Sequence, residues 1–184
     1  MSTNPPILFD TDTMSSFAWV NRLDILESLY SERMFVLPEI IYEISNVTHL
    51  KDRLELCIDK KTISIVNLDP LGDDGQEFAR LRGLKKFGYG EAAAMAYAKN
   101  KEVILASNNL RDVLSYCSQH KISLISTRRI MYEAVKSNVL DMKEAETIWQ
   151  EMIKRKRKLP CNTFKEAFDF YEIGEGKKLT IHKY

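Results

Sequence analysis

The sequence predicts an α/β domain with a mostly parallel sheet of four to five strands and helices on both of its faces. Three observations predict it. Short apolar or β-branched runs recur at Ile7–Asp10, Met34–Leu37, Thr62–Leu68, Glu102–Ser107 and Ile122–Ile125. The stretches between them are long enough for crossover connections, and several carry apolar residues at helical spacing. The composition, 45% hydrophobic and 29% charged over 184 residues, supplies the core of one domain.

Ile7–Asp10 is an apolar run closed by an acid. Ser15–Asn21 and Leu23–Tyr30 have helical spacing, with Phe17, Val20, Leu23, Leu26 and Leu29 near one stripe. Met34–Leu37 is a second strand. Pro38, suited to a first helical turn, then opens a helix to Asn46. Leu50–Lys60 is a further helix. Thr62–Leu68 alternates Ile63 and Ile65 with Ser64, the pattern of a strand near a sheet edge. Asp69–Gly75 is a loop and Gln76–Lys86 a helix. Gly88-Tyr-Gly90 is a break, after which Glu91–Asn100 restarts as an alanine-rich helix able to pack close to the sheet. Glu102–Ser107 is a buried strand, Leu110–His120 a helix and Ile122–Ile125 the last strand. Thr127–Val139 and Met142–Lys156 are the next helices, Pro160 is a break, and Phe164–Tyr171 is a final short helix before a polar tail, frayed from about residue 174. The chain thus divides into a main unit, 1–141, and a helical extension, 142–184, packed on the same domain.

Several function classes are disfavoured. Lys plus Arg is 27 and Asp plus Glu is 26, a net charge of +1, so only a local patch would attract a polyanion. Cys57, Cys117 and Cys161 are odd in number and widely spaced, which predicts no disulfide framework and a reducing, cytoplasmic setting. His49, His120 and His182 are isolated and no CxxC or HExxH is present, which argues against zinc. No apolar run approaches the ~18 residues of a membrane span. No cationic region precedes Ile7-Leu-Phe9, so no signal peptide is expected.

In parallel sheets ligands sit beyond the carboxyl ends of the strands. Asp10 and Asp12 follow the first strand, Glu43 lies in the helix after the second, Glu91 opens the alanine-rich helix, and Asp112 lies just past Ser107-Asn-Asn109. Each has an ordinary explanation by itself: Asp10 as a cap, Glu43 on a solvated face, Glu91 favoured by a helix dipole, Asn109-x-x-Asp112 as a capping-box variant. As an ordered set they point to chemistry. Clustered carboxylates repel and raise each other's pKa, and a divalent cation removes that repulsion. Oxygen ligands without His or Cys indicate Mg²⁺ or Mn²⁺, which can polarise a phosphate and activate a water.

Four segments carry a family resemblance. Ile7-Leu-Phe-Asp10-Thr11 resembles the opening of PIN-domain nucleases. Pro38-Glu-Ile-Ile-Tyr-Glu43-Ile is similar to their second motif, Gly88-Tyr-Gly-Glu91-Ala-Ala-Ala to the third in one branch, and Ile104-Leu-Ala-Ser-Asn-Asn109-Leu-Arg-Asp112 to the fourth. Order and spacing agree over about Ile7–Leu140. The resemblance implies a compact three-layer α/β/α sandwich and metal-dependent cleavage of RNA by water, many relatives being VapC-like toxins with an antitoxin partner. By position, Asp10, Glu43, Glu91 and Asp112 would hold the metal, and Ser107 and Asn109 would orient water or a carboxylate. Many members carry Asp where this chain has Asn109. A homodimer is expected by analogy with related toxins. The segment from Met142 goes beyond the compact family pattern. It carries Lys154-Arg-Lys-Arg-Lys158, which either complements a helix C-terminus or holds RNA phosphates through Lys154, Arg155 and Arg157.

The sequence leaves two other readings open. Asp10-Thr-Asp12-Thr13 also fits the opening of haloacid-dehalogenase-type phosphatases, with Asp10 as nucleophile and Gly72-Asp-Asp74 as a later acidic motif. A catalytically inactive PIN-like RNA-binding module is the non-enzyme alternative, with Asn109 in its favour.

Overall fold

The computed structural model describes residues 4–174. Its sheet has five strands, β1 (Ile7–Phe9), β2 (Met34–Val36), β3 (Ile63–Ile65), β4 (Ile104–Ala106) and β5 (Ser123–Ile125), all parallel and ordered β3-β2-β1-β4-β5. Leu8 of the central strand lies in register with Phe35 on one side and Leu105 on the other. β1 is buried along its whole length, which is why it is uniformly apolar. β3 is an edge strand, as expected, but its burial does not alternate: Ile63 is buried, whereas Ile65 is exposed along with Ser64.

Ten helices are present among the described residues: α1 (Thr11–Trp19), α2 (Leu23–Tyr30), α3 (Pro38–Ser45), α4 (Thr48–Asp59), α5 (Asp73–Gly83), α6 (Tyr89–Asn100), α7 (Leu110–His120), α8 (Thr127–Lys136), α9 (Met142–Lys154) and α10 (Phe164–Glu172). They cover the sheet in an α/β/α sandwich. α6 lies on β1 and β4 and touches α3, α5 and α7. Its Ala92, Ala93, Ala94 and Ala96 are at most 1% exposed, so the short side chains do bring this helix close to the sheet. α2 packs on β2 and α8, while α9 touches α1 and α8, and α10 closes over α8 and α9. Trp149 of α9 is fully buried, packs against Phe164 at a tilt of 53° with ring centroids 5.8 Å apart, and donates its indole N–H to the Cys161 carbonyl at 3.1 Å.

Some element boundaries differ from the sequence expectation, each for a local reason. α1 begins at Thr11 rather than Ser15, because Asp10 is its N-cap: the carboxylate accepts the Thr13 N–H at 2.7 Å. α5 begins at Asp73 rather than Gln76, with Gly72 as N-cap and two acids in its first turn. α6 takes in Tyr89 and Gly90, and Gly88 alone precedes it. α9 ends at Lys154, and Lys156 turns the chain with a positive φ of 58°. The tail past Gly174 lies outside the described residues, and no described helix is long and apolar enough to cross a membrane.

Candidate active site

The chain leaves β1 in one direction along the sheet to β2 and β3, and in the other reaches β4 and β5. The reversal puts the crevice at the carboxyl ends of β1 and β4, where open parallel sheets bind ligands. β1 delivers Asp10 there, and β4 delivers Ser107, Asn108 and Asn109. The Asp10 N–H donates to the Ala106 carbonyl at 2.9 Å, which fixes the two strand ends against each other.

Asp10, Asp12, Glu43 and Glu91 line one cleft, together with Thr11, Gly88 and Asn109. Asp10 is 3% exposed. Burial pushes its carboxyl up to about 7, against the hydrogen bonds from Ser107 and Thr13, and the neighbouring Asp12 charge adds to the rise. Glu43 reaches in from α3. Thr11 Oγ1 donates to its Oε2, and the backbone N–H of Gly90 donates to its Oε1 at 3.0 Å. The N-terminus of α6 thus faces a carboxylate, the favourable orientation of a helix dipole. A Cβ on Gly90 would lie 2.6 Å from Glu43 Oε2 and 2.7 Å from Thr11 Oγ1, so this close approach requires glycine.

Glu91 follows one residue later and is partly buried, and that burial raises its pKa. Asn109 Nδ2 donates to Glu91 Oε1 at 2.8 Å and to Asp112 Oδ2 at 3.3 Å, so one amide bridges two carboxylates. The Asn109 N–H donates to Ser107 Oγ at 3.3 Å. Asp112 stands outside the cleft wall, paired with Lys86 at 3.0 Å, and Lys86 is the main reason that its pKa is lowered. Asn108 ties the end of β4 to the start of α8, donating to Thr127 Oγ1 and accepting the Thr127 N–H, both at 2.9 Å.

The structure therefore brings Asp10, Glu43, Glu91 and Asn109 to one cleft, places Ser107 beside Asp10 at the end of β4, and leaves Asp112 at the rim. Asp12, one of the acids expected at the carboxyl edge, lines the same cleft, and Thr11, Gly90 and Lys86 belong to the same neighbourhood although the sequence does not mark them as site residues. Among the described residues, no group of three or more His, Cys, Asp or Glu stands ready to hold a metal ion. Thr11 and Gly90 occupy Glu43, and Lys86 occupies Asp112. The donor set nonetheless fits a hard cation: it is all oxygen, and Asp10 and Glu91 both have carboxyl groups whose burial disfavours the charged form.

The cationic run divides. Lys154 pairs with Glu151 at 2.7 Å on the exposed end of α9. Arg155 and Arg157 lie over the Trp19 ring, 6.0 and 5.6 Å from its centroid. Lys156, Arg157 and Lys158 line a groove with Asp12, Ser16 and Asn108, and Asp12 is shared with the acidic cleft.

A family model described as a PIN domain matches residues 6–172. A comparison with curated proteins finds no match. The family match spans most of the chain, which belongs to the PIN domain family, a family generally of nucleases. It runs through α9 and α10, so these helices fall within the matched pattern rather than beyond it. Asp74, from the later acidic motif of the phosphatase reading, is buried and accepts the Asp69 N–H at 3.0 Å in the turn that starts α5, and neither Asp73 nor Asp74 lines the cleft that holds Asp10.

Proposed function

We propose that the chain is a Mg²⁺- or Mn²⁺-dependent ribonuclease that hydrolyses RNA phosphodiesters with an activated water. The observation that carries this reading is the convergence of Asp10, Glu43 and Glu91, from three separate elements, on one cleft at the β1/β4 crevice. These three would hold the ion, and Asp112 would join them from the rim on leaving Lys86. The ion, when bound, supplies a Lewis acid for the phosphate and lowers the pKa of a water.

The chain's own groups do the rest. Thr11 and Gly90 orient Glu43, Asn109 orients Glu91 and Asp112, and the capping bond from Thr13 fixes Asp10. The Lys156–Lys158 segment holds substrate phosphates beside the acids. Within this reading the chain is the toxin of a toxin–antitoxin pair, and induced expression in a bacterial host arrests growth in an Asp10-dependent way.

Asp10→Asn and Glu91→Gln each reduce Mn²⁺-dependent cleavage of single-stranded RNA by at least a hundredfold, with the circular dichroism spectrum unchanged. Calorimetric titration shows weakened Mn²⁺ binding in both. Cleavage that survives in both variants, in protein free of contaminating nuclease, would falsify the assignment. RNA binding without cleavage in the wild type would instead make the chain an inactive PIN-like binding module.

A further inference from the structure

Beside the acidic cleft lies a second cavity of about 240 Å³, which shares Asp12 and Asn109 with it. Leu110, Leu159 and Pro160 give it apolar walls, and Arg128, in the first turn of α8, forms part of its lining. Arg128 is 9% exposed. Its guanidinium carbon lies 3.6 Å from the centroid of the Phe170 ring and 5.6 Å from that of Tyr171. The rings stabilise the charge but take none of its N–H groups. Arg128 Nε is buried and has no hydrogen-bond partner among the described residues. A buried donor left unpaired costs folding free energy, and the side chain that carries this one lines a cavity open to a ligand's acceptors.

We infer that this cavity receives the base of a nucleotide adjacent to the scissile phosphate, that Arg128 reads it, and that guanine is the preferred base; the inference rests on the ribonuclease reading above. The place fits, because the cavity shares Asp12 both with the acids and with the Lys156–Lys158 groove. A strand whose phosphates follow the lysines into the cleft brings a neighbouring base to the cavity. The chemistry fits as well. Apolar walls suit the faces of a base, and guanine offers O6 and N7 as paired acceptors to a guanidinium fork.

The test is equilibrium binding of labelled RNA pentamers to the full chain in EDTA, where metal-dependent cleavage is off. The probes are oligoadenylate and the same pentamer with a central guanine, cytosine, uracil or 7-deazaguanine. The guanine pentamer binds about tenfold or more tightly than the others, and 7-deazaguanine loses most of that margin. Arg128→Lys keeps the charge over Phe170 and loses the fork, so the margin of the guanine pentamer over oligoadenylate disappears. Leu159→Trp, which fills the cavity from its wall, also removes the preference and keeps the result readable if Arg128→Lys fails to fold. Equal affinity for all four bases, or a guanine preference intact in a folded Arg128→Lys protein, overturns the inference. So does inorganic phosphate competing as well as guanosine monophosphate, since the cavity is then a phosphate site. The two failures are distinguishable: Mn²⁺-dependent cleavage without base preference removes only the guanine site, whereas base preference in EDTA without cleavage in Mn²⁺ removes the nuclease and with it the scissile phosphate, leaving a guanine site on a binding module.

Discussion

Gly90 holds a position in which a side chain would collide with the site. Its missing Cβ leaves room for the Glu43 carboxylate and the Thr11 hydroxyl, and its N–H donates to that same carboxylate. Gly90→Ala is tolerable to a helix by propensity, and alanine normally gains about 1 kcal/mol over glycine there. Here the Cβ displaces Glu43 instead. The expected outcome is a folded protein with at least tenfold weaker Mn²⁺ binding by calorimetry; unchanged binding would show that Glu43 does not need this clamp. Asp10 gives a prediction of opposite sign for stability. Burial raises its carboxyl from the ordinary 3.8 to about 7. Between those values the folded state holds a proton that the unfolded state has released, so metal-free stability falls as pH rises through this window. Asparagine caps a helix as well as aspartate does and carries no charge. In EDTA, Asp10→Asn therefore melts above the wild type at pH 8, and the gap closes towards pH 4. A variant that melts lower at pH 8 would mean the buried charge is compensated.

At the level of elements, the strands and most helices were legible because periodicity reports burial directly. β1 is apolar throughout because both its faces are covered, and β3 lies at an edge, where even Ile65 is exposed. The helix starts were less legible. Asp10-Thr-Asp-Thr13 is polar in composition, and only the capping geometry shows that the helix begins at Thr11. The ordered acids were visible as motifs, but Gly90 read as a helix break, since a close tertiary approach leaves no periodic trace. Glu77 shows the same blindness. It lies on α5 and accepts hydrogen bonds from Arg80 at 2.6 Å, from Lys99 of α6 at 2.9 Å and from the Tyr116 hydroxyl of α7 at 2.9 Å. Arg80 is the main reason that its carboxyl drops to about 2 from an ordinary 4.5. A depressed acid contributes stability above its unfolded pKa and loses it as pH falls through the folded one. Glu77→Gln should therefore lower the melting temperature at pH 7, with the deficit shrinking between pH 4.5 and 2. A deficit independent of pH would assign the effect to packing.

On the scale of the whole molecule, a chain of net charge +1 can hold a polyanion only by separating its charges. The acids gather at the β1/β4 crevice, and the cations that could draw RNA towards them come from the turn after α9. The C-terminal helices make that separation possible, because α9 packs on α1 and α8 and so presents the turn beside Asp12. The run of five cations is not uniform in this respect. Lys154 is engaged with Glu151 on exposed helix surface, whereas Lys156, Arg157 and Lys158 line the groove. Replacing those three by glutamine should weaken RNA binding alike for all sequences. It should also flatten the salt dependence by up to about 0.7 log units for each single-strand phosphate that is no longer neutralised. Lys154→Gln should change either quantity little, and Mn²⁺ affinity should be unaffected in both proteins. Binding titrations over a range of salt concentrations check this. A salt slope that stays at the wild-type value in the triple variant, or falls as far with Lys154→Gln alone, would mean that RNA enters over another face and that the turn after α9 is only a solvated helix end.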